Sequence, residues 1–159
     1  MSVSLVLVPL ALAIGGALSD LSENVIIKYE DVNSITENSG ENNRCYQVET
    51  PIKRMDLLIR SISELDYNLQ QINNKYVIKD TDGDIEFIRN NNNQIDILFN
   101  SNYSRQQVQS ISSDIYNQYT SVLQAEVYNT LKQKAEERGY TLENEVIEED
   151  NSIVLNFIV

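Results

Sequence analysis

Between Asp84 and Asn100 apolar side chains recur at every second position, Ile85 and Phe87 before an asparagine run and Ile95, Ile97 and Phe99 after it. That period is the signature of half-buried strands and confines this stretch to a sheet. Asn90 to Asn93 are residues that tolerate the positive φ angles of tight hairpins, so Asp84–Arg89 and Gln94–Asn100 are predicted to pair. A third strand candidate, Leu69–Lys79, precedes them across the turn dipeptide Asp82-Gly83, and the three together predict an antiparallel meander.

Helical spacing brackets this meander. Ile52, Met55, Leu58, Ile59, Ile62 and Leu65 share one helical face, with Thr50 as N-cap and Pro51 at the first helical position, so a helix is expected from there to about Asp66. Ser104 followed by Gln107 is a capping-box signature; the helix it opens runs toward Arg138, with Gly139 as its C-terminal cap. Its apolar stripe, Val108, Ile111 and Ile115, slips near Tyr119 before resuming at Val122, Ala125, Tyr128, Leu131 and Ala135. Either one long bent helix or two helices meeting around Thr120 would satisfy that slip. Thr141–Glu148 and Ser152–Val159 close the chain as a hairpin across Glu149, Asp150 and Asn151, and earlier strands are expected at Asn24–Val32 and Arg44–Glu49. Asn33–Asn43 has no apolar period and reads as a solvated linker.

The first residues are of another kind. Ser2 to Ser19 are eighteen consecutive uncharged residues, a length at the lower limit of a membrane-spanning helix. Pro9 interrupts a helix but suits a helix start, so a strand over Val3–Val8 followed by a short helix from Pro9 fits equally well. Ala11 with Gly15 and Ala13 with Ala17 repeat at the four-residue spacing that permits close helix approach. Three readings remain open: a membrane anchor or membrane-lying segment, an arm buried against a partner or a second copy, and a cleaved signal lacking a basic start.

Charge excludes one large class of partner. With 24 acidic and 12 basic side chains and no His, the chain carries −12 and would repel a phosphate backbone, so no nucleic acid is expected. Cys45 is the sole cysteine, which rules out an intrachain disulfide and a cysteine zinc site, and no His stands ready to activate it as a nucleophile. Asp80, Asp82 and Asp84 superficially resemble a calcium loop, but counting from Asp80 the sixth position is Ile85 and the twelfth Asn91, where that loop requires Gly and Glu. A hairpin turn accounts for them. Glu143, Glu145, Glu148, Glu149 and Asp150 crowd the final hairpin; alternation puts Leu142 and Val146 on one face and Glu143 and Glu145 on the other, so these acids are expected to be the solvated side of a strand or a docking surface for a basic partner. Lys132, Lys134 and Arg138 with Glu136 and Glu137 read as an exposed helix face. No phosphate-cradling glycine loop, serine elbow or metal-ligand spacing occurs, so no catalytic, cofactor-binding or metal residue is nominated and no cofactor is expected.

The segment Tyr128-Asn-Thr-Leu-Lys-Gln-Lys-Ala-Glu-Glu-Arg-Gly139-Tyr140, followed by Thr-Leu-Glu-Asn-Glu-Val-Ile-Glu-Glu-Asp150 and an apolar end strand, resembles the uncharacterised family called domain of unknown function 1257, found in cyanobacteria, algal plastids and other bacteria. The likeness extends more loosely back to Cys45 through a strand, an amphipathic helix and the stop Leu65–Tyr67. Members carry tryptophans before the long helix, where this chain has Asn102 and Tyr103, and they start near the first strand without an apolar arm. The resemblance implies a compact sheet carrying helices and an association with ATPase-containing gene groups, and it implies no catalytic residue.

The expected architecture is α+β: a mainly antiparallel sheet of about five to seven strands with two principal helices on it, arranged as an apolar arm over residues 1–22, a strand and polar linker over 23–43, and a domain over 44–159. The expected function is a non-enzymatic binding or assembly component that docks through its acidic surface and apolar arm on a protein partner or on copies of itself. The alternative is a membrane-anchored accessory protein, held through residues 2–19, whose domain sits in the cytoplasm.

Overall fold

A computed structural model describes residues 1–7, 25–29, 44–100, 102–150 and 152–159. Within them the order is β1 (Ser2–Leu7), β2 (Val25–Tyr29), β3 (Arg44–Val48), α1 (Met55–Glu64), β4 (Leu69–Ile72), β5 (Lys75–Asp80), β6 (Gly83–Arg89), β7 (Ile95–Asn100), α2 (Arg105–Glu137), β8 (Thr141–Ile147) and β9 (Ile153–Ile158). The fold is α+β, with every strand pair antiparallel. The described strands divide between two sheets, β2-β3-β7-β6-β5-β4 and β1-β9-β8. The linker Asn33–Asn43, the helix expected from Pro9 and the small-residue spacings after it lie outside the described residues, as does the side chain of Cys45.

The chain forms two compact units, Leu18–Tyr119 and Met1–Ala17 with Thr120–Val159. In the first, the meander is present but Leu69–Lys79 is two strands. Asn73 and Asn74 both take left-handed backbone, φ 48° and 65°, and make the two-residue turn between Ile72 and Lys75. Asn is among the few side chains that tolerate this conformation at consecutive positions. Thr81 and Asp82 turn β5 into β6, with Gly83 at φ 139°, and Asn90 closes the next turn by accepting N–H bonds from Asn92 and Gln94 on its side-chain oxygen. Register puts Ile78, Ile85 and Phe99 in one cross-strand row and Phe87, Ile97 and Val48 in the next, all buried. Leu57, Leu58 and Ile62 of α1 and Val108, Ile115, Tyr116 and Tyr119 of α2 supply the buried hydrophobic helical side chains of this unit.

The expected start of α1 is corrected. Its N-cap is Arg54, in extended backbone and without a side-chain cap, and Pro51 is not its first residue. The Thr50 hydroxyl donates to the Ile95 carbonyl and accepts the Ile52 N–H, while the Ile95 N–H donates to the Ile52 carbonyl at 2.8 Å. These bonds lash residues 50–52 to the start of β7, so Ile52 reaches the core from an extended segment.

In the other unit, α2 continues unbroken past Thr120, so the slip in its apolar stripe marks where the helix passes from one unit to the other. Its start is the reciprocal box expected: Gln107 N–H donates to the Ser104 hydroxyl and Ser104 N–H to the Gln107 side-chain carbonyl. Its end is a Schellman motif, with Gly139 at φ 78°, Gly139 N–H on the Glu136 carbonyl and Tyr140 N–H on that of Ala135. Ala135, Leu155 and Phe157 form the small core of this unit, against which Leu7, Tyr128, Tyr140, Leu142 and Ile153 pack. The strand reading of the first residues thus holds for Ser2–Leu7, which pair with β9 along their length. Among the described residues no helix is long and apolar enough to cross a membrane.

Candidate binding groove

The acids of the last hairpin do not lie as simple alternation places them. Opposite β9, Leu142 pairs with Phe157 and Asn144 with Asn156, leaving Glu143 as a bulge with no partner of its own. The extra residue reverses the alternation beyond it. Glu145 stands opposite Leu155 and Ile147 opposite Ile153, on the face that Leu142 shares, while Val146 stands opposite Val154 on the other. Glu145 therefore stands on the side of α2, not with Glu143 as simple alternation expects, while it stays exposed to solvent as the acids of this hairpin were expected to be.

This reversal builds a groove. Ser121, Gln124, Ala125 and Tyr128 of α2, at three- and four-residue spacing, form one wall, and Glu145, Ile147 and Ile153 form the other, around about 410 Å3. The volume is that of a small ligand site, within the usual range of about 300–1,000 Å3. The Tyr128 hydroxyl donates to Glu145 Oε2 at 2.6 Å and accepts from Lys132 Nζ at 3.3 Å, with the ammonium 5.2 Å from the ring centroid. Cation and carboxylate are thus joined through one phenol, which pins the ring as a wall. Ile147, in the row that faces α2, is 66% exposed and lines this groove. At the turn, Asp150 accepts from the Ser152 hydroxyl and N–H, and these hydrogen bonds hold its carboxyl below the ordinary carboxylate range. Glu143, Glu148 and Glu149 are exposed beside it.

The other acidic cluster is divided among separate partners. Asp80 Oδ2 and the Gly83 carbonyl both lie 2.9 Å from the Tyr103 hydroxyl, Asp82 accepts from Gln107 Nε2, and Asp84 pairs with Lys79. Tyr103 stands edge-on to Phe99, and burial, then its bond to Asp80, raises its hydroxyl well above the ordinary tyrosine range. Among the described residues no group of three or more His, Cys, Asp or Glu is placed to hold a metal ion. A buried carboxylate that sequence reading passed over, Asp96, is held by amide donors from Gln47 at 2.7 Å and Asn90 at 2.9 Å. Its polar position between Ile95 and Ile97 was the available signal. The helix-face charges Lys132 and Lys134 lie on α2, with Lys132 donating to the Tyr128 hydroxyl and Arg138 just past the helix end.

No family model, no curated protein and no solved structure matches the chain.

Proposed function

We propose that this chain is a non-enzymatic binding component that takes an apolar side chain, carried on a basic segment of a partner protein, into the groove between α2 and β8–β9. The observation that carries this reading is the groove itself: apolar walls from Ala125, Ile147 and Ile153 with the Glu145 carboxylate among them, beside the acids of the β8–β9 turn. Apolar pockets with few polar groups give affinity, and the surrounding acids select a basic segment and speed its approach. Kinship with the domain of unknown function 1257 would bring no catalytic residue, so it leaves this reading unchanged. The test is binding of a labelled peptide of leucines flanked by lysines, followed by fluorescence anisotropy. Ile147→Lys and Ala125→Trp should each weaken binding at least about tenfold, equal to about 1.4 kcal/mol, and added salt should weaken it too. Equal binding of an acidic peptide with the same leucines, or indifference to both substitutions, would refute the proposal.

The second reading, a membrane-anchored accessory protein with a cytoplasmic domain, rests on the uncharged run from Ser2 to Ser19. With Ser2–Leu7 in a strand, twelve of those residues remain, Val8 to Ser19. As a helix they would rise about 18 Å against a hydrocarbon core of about 30 Å, which favours a segment lying on a surface over one spanning it. Retention of the full chain, but not of a chain starting at Glu23, in carbonate-washed membranes would support this second reading.

A further inference from the structure

Among the described residues β1 lies at one edge of the β1-β9-β8 sheet, and every residue from Ser2 to Val6 is exposed. The Val159 N–H donates to the Met1 carbonyl at 2.9 Å, and the register continues from there with Ser2 opposite Ile158 and Val3 opposite Phe157. Alternation in an antiparallel ladder then assigns the backbone groups of Met1, Val3, Leu5 and Leu7 to β9 and turns those of Ser2, Ser4 and Val6 to the open edge. Natural edge strands are guarded by lysine, proline, a bulge or an inward charge. Ser2–Leu7 has no charged residue and no proline, and its register with β9 has no bulge. It sits in a chain whose net charge is −12.

We infer that this edge joins a second copy of the chain, strand β1 pairing antiparallel with its counterpart about a two-fold axis at Ser4. Three observations select a second copy over another partner. The outward backbone groups belong to Ser2, Ser4 and Val6, a set symmetric about Ser4, so each finds its counterpart in one register, with Ser2 opposite Val6 of the other copy and Ser4 opposite Ser4. In that register Val3 and Leu5, exposed at 40% and 37% on the core-facing side, come to lie opposite each other's counterparts and cover one another. The third is charge: a basic partner would be drawn to the acids of the β8–β9 hairpin, whereas an uncharged strand is where two chains of the same sign can touch with least repulsion. The outer face beside the edge is uncharged as well. Its rows are Ser2, Ile158 and Thr141; Ser4, Asn156 and Asn144; and Val6, Val154 and Val146. The product is a continuous six-stranded sheet with an isologous contact.

The full chain, 18.2 kDa as a monomer, should show a mass rising to twice that value in analytical ultracentrifugation as concentration increases. Salt should strengthen the association by screening like charges, the opposite of its effect on a basic peptide in the groove. Ser4→Lys and Ser4→Asp each place like charges across the axis without removing a β1–β9 backbone bond, so each chain alone should be monomeric with an unchanged circular dichroism spectrum, and their mixture should recover the dimer. A wild-type chain that stays monomeric to near-millimolar concentration overturns the inference, including the case where it pairs only with a strand from another protein. A dimer that survives Ser4→Lys, or a mixture that fails to associate, overturns the assignment to β1.

Discussion

Tyr116 is 2% exposed, and among the described residues its hydroxyl and that of Ser112, one turn earlier on α2, have no hydrogen-bond partner. A buried hydroxyl stripped of water without a partner costs about 1–3 kcal/mol, whereas a phenyl ring in the same volume loses nothing on burial. Tyr116→Phe should therefore raise the unfolding free energy by about 1 kcal/mol, the lower part of that range because the helix relaxes around the freed space. Thr50→Val is the matched contrast in the same unit. It removes a buried hydroxyl that donates to the Ile95 carbonyl and accepts the Ile52 N–H, and should cost about 1–3 kcal/mol. Urea unfolding of the full chain reads both, as opposite displacements of the midpoint with unchanged slope. Loss of about 1 kcal/mol or more in Tyr116→Phe would refute the reasoning, since it would mean that the hydroxyl has a partner. A Ser112→Ala, Tyr116→Phe pair whose effects fail to add within about 0.5 kcal/mol would point to one water shared by the two hydroxyls.

Deletion of Glu143 should straighten β8 and leave every later residue opposite its present partner, so stability should change by less than about 1 kcal/mol and the Tyr128–Glu145 hydrogen bond should survive; a cooperative loss of structure by circular dichroism would show that the bulge is needed. Tyr103 has a raised folded-state pKa, so the stability it contributes is whole below its unfolded value of about 10 and declines as pH climbs toward the folded value. The stability gap between the wild type and Tyr103→Phe should accordingly narrow above about pH 10 in alkaline urea titrations, and a gap constant with pH would contradict this.

How far the sequence carried depended on whether one local signal decided the outcome. The Ser104–Gln107 box and the Gly139 stop are self-contained, each satisfying its own backbone groups within a few residues, and both ends of α2 stand where they were expected. Thr50-Pro51 has the same form as a helix start, yet its hydroxyl is taken by Ile95, a residue 45 positions away that no local pattern reveals. The groove was hidden for a related reason. Period-two reading assumes an uninterrupted strand, and one unpaired residue at Glu143 is enough to carry Glu145 from the solvent side to the side of Tyr128. A charged residue adjoining such a bulge reads from sequence as the solvated side of a strand or a docking surface, and the pairing with β9 sets it in the groove wall. The signal that was available lies in the partner strand: Leu155 and Phe157 are spaced for one buried face, and Leu142 and Ile147, five residues apart, can both face that side only if β8 contains an extra residue. Two apolar ends of a strand at odd separation are thus a reason to look for a bulge between them, and for a polar residue that the bulge has carried to the other face of the strand.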